Sequence, residues 1–454
     1  MNEGLLLIII IAYISIITGI GLYARKKVTS PTSFFLANRS LKTFPLTATI
    51  TATTIGGSAT IVAGGRIFAD GLPAIWYDLG GAIGLFILGI SMAKLVRKTN
   101  CYTLPDIINK LYDKKTRHIA AILIIITEIA WVALLIQAAS FILSVILPLD
   151  STILLIGITI AFVLYTIIGG QFAVVYTDII QFIIMVVGIC FIATPLLLTE
   201  AAPYWSLLSH SQVSFPINEN IGIISMGSIL FMMMMPHIVG PDIYAKILSA
   251  KNEKSARNAT ILSAFFKFVF AICIALIALA ATLIPSIQEQ ISTPALAIPI
   301  ALTTLPIILS GLVLAAFLSV MISSADSCLL SAGTILSVDI LKNNSIKTSQ
   351  IGIIIVGLSA LSLAIYHNLL GSILDTLELA YTVFTAGLTL PVIFGLYQKQ
   401  TKVTAKGALY SIILGGSSSI ISLQIPRLSN YAVLIGLIAS LIPLIVFRYD
   451  PNHH

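Results

Sequence analysis

Ser323, Asp326 and Ser327, in the run Ser323-Ser324-Ala325-Asp326-Ser327, are spaced i, i+3 and i+4. On a helix that spacing puts two hydroxyls and a carboxylate on one face. Such oxygens are ligands for a hard cation such as sodium; the alternative is serine packing around a satisfied aspartate. A second polar run is Thr47-Ala48-Thr49-Ile50-Thr51-Ala52-Thr53-Thr54-Ile55-Gly56-Gly57-Ser58-Ala59-Thr60, with six threonines. Small residues of this kind pack helix on helix. Gly56-Gly57 also permits a break, and the carbonyls freed there can hold a cation. In a third run, Met232-Met233-Met234-Met235-Pro236-His237 leads into Gly240-Pro241-Asp242. Its two prolines predict a kinked or unwound turn. The methionines read as adaptable packing, since no Cys or His cluster accompanies them. His237 reads as a capping or interfacial group.

The elements that carry these runs are apolar and long. Of the 454 residues 58% are hydrophobic and 9% charged. A helix needs about 20 apolar residues to cross a hydrocarbon core of about 30 Å. Thirteen stretches qualify, at 4–24, 41–66, 72–94, 118–147, 151–169, 173–198, 221–247, 257–284, 297–339, 350–366, 370–397, 403–424 and 429–448. The ninth is too long for one crossing and is expected to be interrupted near Pro306. The fold class is an all-α polytopic membrane protein.

The net charge of +7 does not mark a nucleic-acid binder, because the basic residues alternate with the spans. They gather in loops from Arg25 to Lys42, Lys94 to Arg117, Lys246 to Arg257, Lys342 to Lys347 and Lys399 to Lys406, and at Arg448. The loops near 148–151, 199–220, 285–294 and 366–371 hold no Lys or Arg. This positive-inside pattern predicts an outside N-terminus and a cytoplasmic C-terminus in the plasma membrane. The first stretch lacks a basic segment before it and a small-residue cleavage site, and reads as an anchor helix rather than a signal peptide.

Charged groups inside apolar spans are expensive and mark function. Asp78, Glu128, Asp178, Asp326, Asp375 and Glu378 lie within or near spans, with Lys267 and Arg66 as basic counterparts. Asp375, Glu378 and Asp78 are expected nearest the interfaces. An excess of acids calls for sodium, protons or a cationic solute. Cys101, Cys190, Cys273 and Cys328 have no metal or redox spacing and read as small apolar residues. There is no P-loop, GxSxG or HExxH motif and no long hydrophilic stretch, so neither an ATP-driven pump nor an enzyme is expected. Two broken helices about 180 residues apart are the sequence pointer to a secondary transporter. Five spans over 41–198 and five over 221–397 then form inverted halves of a core at 41–400. Residues 1–40 precede it as a leading helix and loop, and 401–454 follow as two trailing helices.

The chain also resembles the sodium/solute symporter family over nearly its whole length. Ser33-Phe34-Phe35-Leu36-Ala37-Asn38-Arg39-Ser40-Leu41 is similar to the family's FFLAGRSL-type segment. Gly169-Gly170-Gln171-Phe172-Ala173-Val174-Val175-Tyr176-Thr177-Asp178-Ile179-Ile180-Gln181 resembles its long GG-x-x-AV-x-(W/Y)-TD-x-x-Q signature. Gly240-Pro241-Asp242-Ile243-Tyr244-Ala245-Lys246 resembles the cytoplasmic exit of the sixth core helix. The resemblance implies a LeuT-like inverted five-plus-five bundle and a sodium site between core helices one and eight. That site would take carbonyls of Thr47, Ile50 and Val320 and the hydroxyls of Ser323 and Ser324. A register one turn away, over Ala315-Ala316-Phe317-Leu318-Ser319, competes. The Ser323 register is preferred because Thr334-Ile335-Leu336-Ser337-Val338-Asp339-Ile340 then also matches. Some members hold a second sodium with the same helix and the TDxxQ aspartate. Here that implies Ser323, Asp178, Asp326 and Ser327, with Asp326 in place of a serine, and a second cation that is sodium or a proton.

The family pocket implies Thr51, Thr54, Tyr77, Trp131, Gln137, Phe231 and Tyr381 as solute-lining candidates. Tyr77, Trp131 and Glu128 would suit a choline-like cation by cation–π and charge, and an amino acid fits nearly as well. The expected function is sodium-coupled import of a small polar organic solute by alternating access, with Na+ as the only cofactor. The partners are the solute, sodium and the bilayer, and the expected state is a monomer or weak oligomer. The alternatives are a transporter-like nutrient sensor and a proton-coupled solute transporter.

Overall fold

The computed structural model describes residues 3–370 and 372–448; His453 and His454, which the sequence leaves open as native or a tag remnant, lie outside them. Helix α1 (Glu3–Arg25) turns Leu6, Ile10, Tyr13 and Ile17 inward and leaves Ile8, Ile11 and Ile16 exposed. An apolar residue exposed on every side of a helix except one is what a lipid-facing helix requires. A short helix, Pro31–Leu36, follows, started by a capping box between Ser30 and Ser33.

Helix α2 (Thr43–Thr54) and helix α3 (Ser58–Asp70) form one bent span with a 58° angle between its halves. The break falls at Ile55-Gly56-Gly57, as the glycine pair predicts. Glycine is required there by proximity: a Cβ on Gly57 would stand 2.7 Å from the Ala138 Cβ, and one on Gly56 would stand 3.2 Å from the Ser324 Oγ. Helices α4 (Leu72–Lys98) and α5 (Lys114–Ser144) come next. The helical run Ser151–Leu207 is interrupted at Gly170, whose φ of 52° and ψ of −156° only glycine adopts readily. It therefore reads as α6 (151–169) and α7 (171–207).

Helix α8 (Ile223–Val239) contains Pro236 and ends at Gly240, after which α9 (Pro241–Leu248) begins with proline at its first position. This is the second interruption the prolines predict. Helix α10 (Glu253–Ala281) starts at the Asn252 cap. The overlong stretch at 297–339 divides as expected: α11 (Pro294–Thr303) stops before Pro306, and α12 (Ile307–Ile340) starts after it. Helices α13 (Ile346–Leu370), α14 (Ile373–Leu396), α15 (Ala405–Leu423) and α16 (Ala432–Val446) complete the order.

Among the described residues, ten helices are long and apolar enough to cross a membrane, or eleven with the bent α2–α3 pair counted. The chain is a multi-pass membrane protein with an all-helical fold, and the four cysteines are free thiols. Helix α12 packs against α1, α2, α5 and α7, while α10 packs against α2 and α4 and α8 against α4. Helices α15 and α16 pack chiefly on each other and on the middle of α14. The interrupted helix α2 is thus held between α10 and α12 at the centre of the bundle.

Candidate ion and solute site

Thr47, Ile50, Val320, Ser323 and Ser324 are all buried on the facing helices α2 and α12. The Ser324 Oγ donates to the Thr53 carbonyl at 2.8 Å, and Thr53 and Ser327 share a hydroxyl hydrogen bond of 2.9 Å. Ser324 and Ser327 therefore reach the last turn of α2, just before its break. The Thr47 carbonyl accepts from the Ser263 hydroxyl on α10 at 3.1 Å, and the Ile50 carbonyl accepts from Thr54 at 2.8 Å. The five residues supply neutral oxygens of the kind a monovalent hard cation takes. In this conformation their hydroxyls and carbonyls are engaged with one another and with neighbours.

Immediately beside them stand the two carboxylates singled out in the sequence. Asp178 on α7 is fully buried; its Oδ1 accepts from Ser323 at 2.6 Å, and its Oδ2 accepts from Thr49. Asp326 lies one turn beyond Ser323, and neither of its oxygens has a hydrogen-bond partner among the described residues. The residue sequence reasoning missed is Lys246. Counted there among the loop cations, it is 1% exposed, and its ammonium lies 3.5 Å from Asp178. Its position in the run ending Asp242-Ile243-Tyr244-Ala245-Lys246 was the available signal: one turn of α9 carries it back into the bundle.

A cavity of about 50 Å³ opens at the α2–α3 break. Thr54, Trp131 and Tyr381 line it, together with Ser58, His237 and Asp242. Trp131 and Tyr381 meet edge to face at 5.4 Å between centroids, and the Tyr381 hydroxyl lies 3.1 Å from that of Ser58. This arrangement offers an aromatic wall, hydroxyls and freed backbone in one place. The other solute-lining candidates do not join it. Thr51 is buried, and its hydroxyl has no partner among the described residues. Tyr77 lines a separate cavity of about 260 Å³ nearer the α3 end, with Arg66 and Glu378. Gln137 borders a third, of about 450 Å³, and accepts from Thr376 at 2.8 Å. Phe231 is half-buried and lines none of the three.

Two expectations need correction. His237 is not interfacial: it is buried against the cavity, with its Nδ1 2.7 Å from the Met233 carbonyl one turn back. Asp78 is not near an interface either. It is buried in an ion pair of 2.5 Å with Lys267, whose ammonium also donates to the Thr54 carbonyl at 2.6 Å. Lys267 thereby caps the carbonyl end of α2, where a positive charge opposes the helix dipole. Asp375 does sit at a helix start, accepting from Ser372 as part of a cap. Glu128 is fully buried beside Cys328 and Ser331, with neither oxygen hydrogen-bonded within the described residues. It stands one turn from Trp131, whereas Tyr77 is in another cavity.

Known proteins match this chain in sequence and in fold. A sequence model of the sodium:solute symporter family matches residues 34–415. A sodium/glucose cotransporter of Vibrio parahaemolyticus is 25% identical over 453 residues, covering 88% of this chain and 82% of that one. The human high affinity choline transporter 1 is 25% identical over 353 residues, covering 73% of this chain and 61% of its own length. Among solved structures, a substrate-bound, outward-open Na+-coupled sialic acid symporter superposes with a TM-score of 0.81 at 17% identity, over 97% of each chain.

Proposed function

Because the chain belongs to the sodium:solute symporter family, we propose that it couples the inward movement of sodium to the import of a small polar organic solute by alternating access. The observation that carries this reading is the meeting of Ser324, the neighbour of Ser323 on α12, with the last turn of α2. The same broken helix borders the aromatic cavity, so one element touches both the ion group and the solute group. Sodium held by Thr47, Ile50, Val320, Ser323 and Ser324 would fix the relation of α2 to α12, and so shape the cavity floor. Asp178, Asp326 and Ser327 are the second cation-binding group of this reading. No covalent step is needed, since the ion gradient supplies about 2.3 kcal/mol per charge per 100 mV before any concentration term.

The topology belongs to the same proposal. The run Ser151–Leu207 would extend roughly 85 Å at 1.5 Å per residue, too long for one crossing, and its bend at Gly170 divides it into two. With α15, whose glycines and serines dilute its apolarity, the crossings number thirteen. The charge pattern orients them with the N-terminus outside and the C-terminus cytoplasmic. The halves at 41–198 and 221–397 each contain one interrupted helix, α2–α3 and α8–α9, as inverted repeats require.

For the solute, Trp131 and Tyr381 with the nearby Glu128 and Asp242 favour a cation or zwitterion, of the choline or amino-acid kind. The test is uptake into proteoliposomes under an imposed sodium gradient, with choline-like, amino-acid, sugar and monocarboxylate competitors. Sodium-dependent accumulation blocked by a cationic or zwitterionic solute is expected. Accumulation without sodium would overturn the coupling, and inhibition by sugars or monocarboxylates alone would overturn the solute class. Solute-induced thermal stabilisation with no accumulation would point to a sensor.

A further inference from the structure

Lys246 and Asp178 meet in the bundle interior, with Asp326 one turn along α12 from the Ser323 that donates to Asp178; the three are 1%, 0% and 1% exposed. Uncompensated charge there is costly, so the ions at this point must nearly balance. Asp178 is well satisfied, by hydroxyls of Thr49 and Ser323 and by the ammonium at 3.5 Å. Asp326 has no hydrogen-bond partner among the described residues, although the charges of both Asp178 and Lys246 act on it. The Lys246 Nζ likewise donates no hydrogen bond within the described residues. A 3.5 Å separation is a Coulombic contact rather than a hydrogen bond. An ammonium and a sodium ion carry the same charge, and both are served by carboxylate and hydroxyl oxygens.

We propose that Lys246 is the resident counter-ion of the Asp178–Asp326 pair, its ammonium standing where a second sodium ion would bind, so that this chain carries one sodium per cycle. The inference rests on the sodium reading above. With both carboxylates ionised, the ammonium leaves one negative charge, and a single sodium at the adjoining Ser323–Ser324 group neutralises it. Lys246 reaches the pair from α9, the short helix beyond the Gly240 break, and also lines the small cavity bordered by Tyr102, Gln171 and Ser331. The same side chain thus touches Asp178 and borders that cavity.

The experiment is equilibrium binding of radioactive sodium to the purified full chain, with the stoichiometry read directly. Wild type should bind one ion, and Lys246→Met, close in length but uncharged, should bind two. Lys246→Arg keeps the charge and should bind one, as should the double variant Lys246→Met with Asp178→Asn, in which charge and counter-charge leave together. A folded Lys246→Met protein that binds one sodium overturns the inference and leaves the sodium reading intact. Two sodium ions on wild type or on Lys246→Arg also overturn it, and these arms decide the matter if Lys246→Met does not fold. No sodium bound by any form overturns the sodium reading together with this inference.

Discussion

Two buried lysine–aspartate pairs flank the interrupted helix α2, and they are built differently. Lys267 and Asp78 approach to 2.5 Å, and the same ammonium donates to the Thr54 carbonyl at 2.6 Å. That pair joins α10, α4 and the end of α2 and leaves its lysine no freedom. Lys246 and Asp178 lie 3.5 Å apart, and the aspartate is already satisfied by two hydroxyls. The first pair is a fastener, because each partner depends on the other. The second is a contact between an aspartate that can stand without its lysine and a lysine with no other hold among the described residues. One bundle therefore uses the same two residue types for a fixed joint and for an exchangeable charge.

Removing one partner from each pair tests this contrast. Lys267→Met should cost about 3–5 kcal/mol, the range for stranding a buried charge, read as a large drop in thermal unfolding temperature and loss of uptake. In sodium-free buffer Lys246→Met should cost less, about 1–3 kcal/mol, since Asp178 keeps its hydroxyl donors. Sodium should then restore part of the loss in that variant only, because a ligand stabilises the state that binds it. Equal losses for the two variants, or sodium rescue of Lys267→Met, would break the comparison.

A smaller effect is expected where the ion meets α2. Ser323→Ala combined with Ser324→Ala should weaken sodium activation of uptake tenfold or more, roughly 1.4 kcal/mol. An unchanged sodium dependence would remove the serine pair from the coupling site. Smallest is Tyr381→Phe, which deletes one hydrogen bond, to Ser58. A change in half-saturating solute concentration worth about 0.5–1.5 kcal/mol is expected, with the sodium dependence kept. If sodium activation shifts instead, Tyr381 belongs with the ion group rather than the solute group.

Much of the architecture was legible because its causes are local. Apolar length set the helices, Gly56-Gly57 and Pro236 with Gly240-Pro241 set the two interruptions, and Pro306 divided the long ninth stretch. The i, i+3, i+4 spacing put Ser323, Asp326 and Ser327 on one helix, and the TDxxQ resemblance pointed to Asp178 as their neighbour. The solute candidates fared unevenly: Thr54, Trp131 and Tyr381 converge on one cavity, while Tyr77 and Gln137 border others. Helix positions alone do not say which of several cavities a side chain enters.

By itself, then, the sequence determined that this is a polytopic helical membrane protein with two interrupted helices and hydroxyl-rich runs inside its spans, because periodicity, breakers and the cost of buried charge act along the chain. Only the tertiary structure decided which charges meet. Asp78 and Lys267 are 189 positions apart, and Asp178 and Lys246 are 68 apart. Lys246 reads as a loop cation until α9 turns inward after Gly240. A lysine's partner is set by how helices cross, and at a few ångströms that crossing separates a fastener from a replaceable counter-ion.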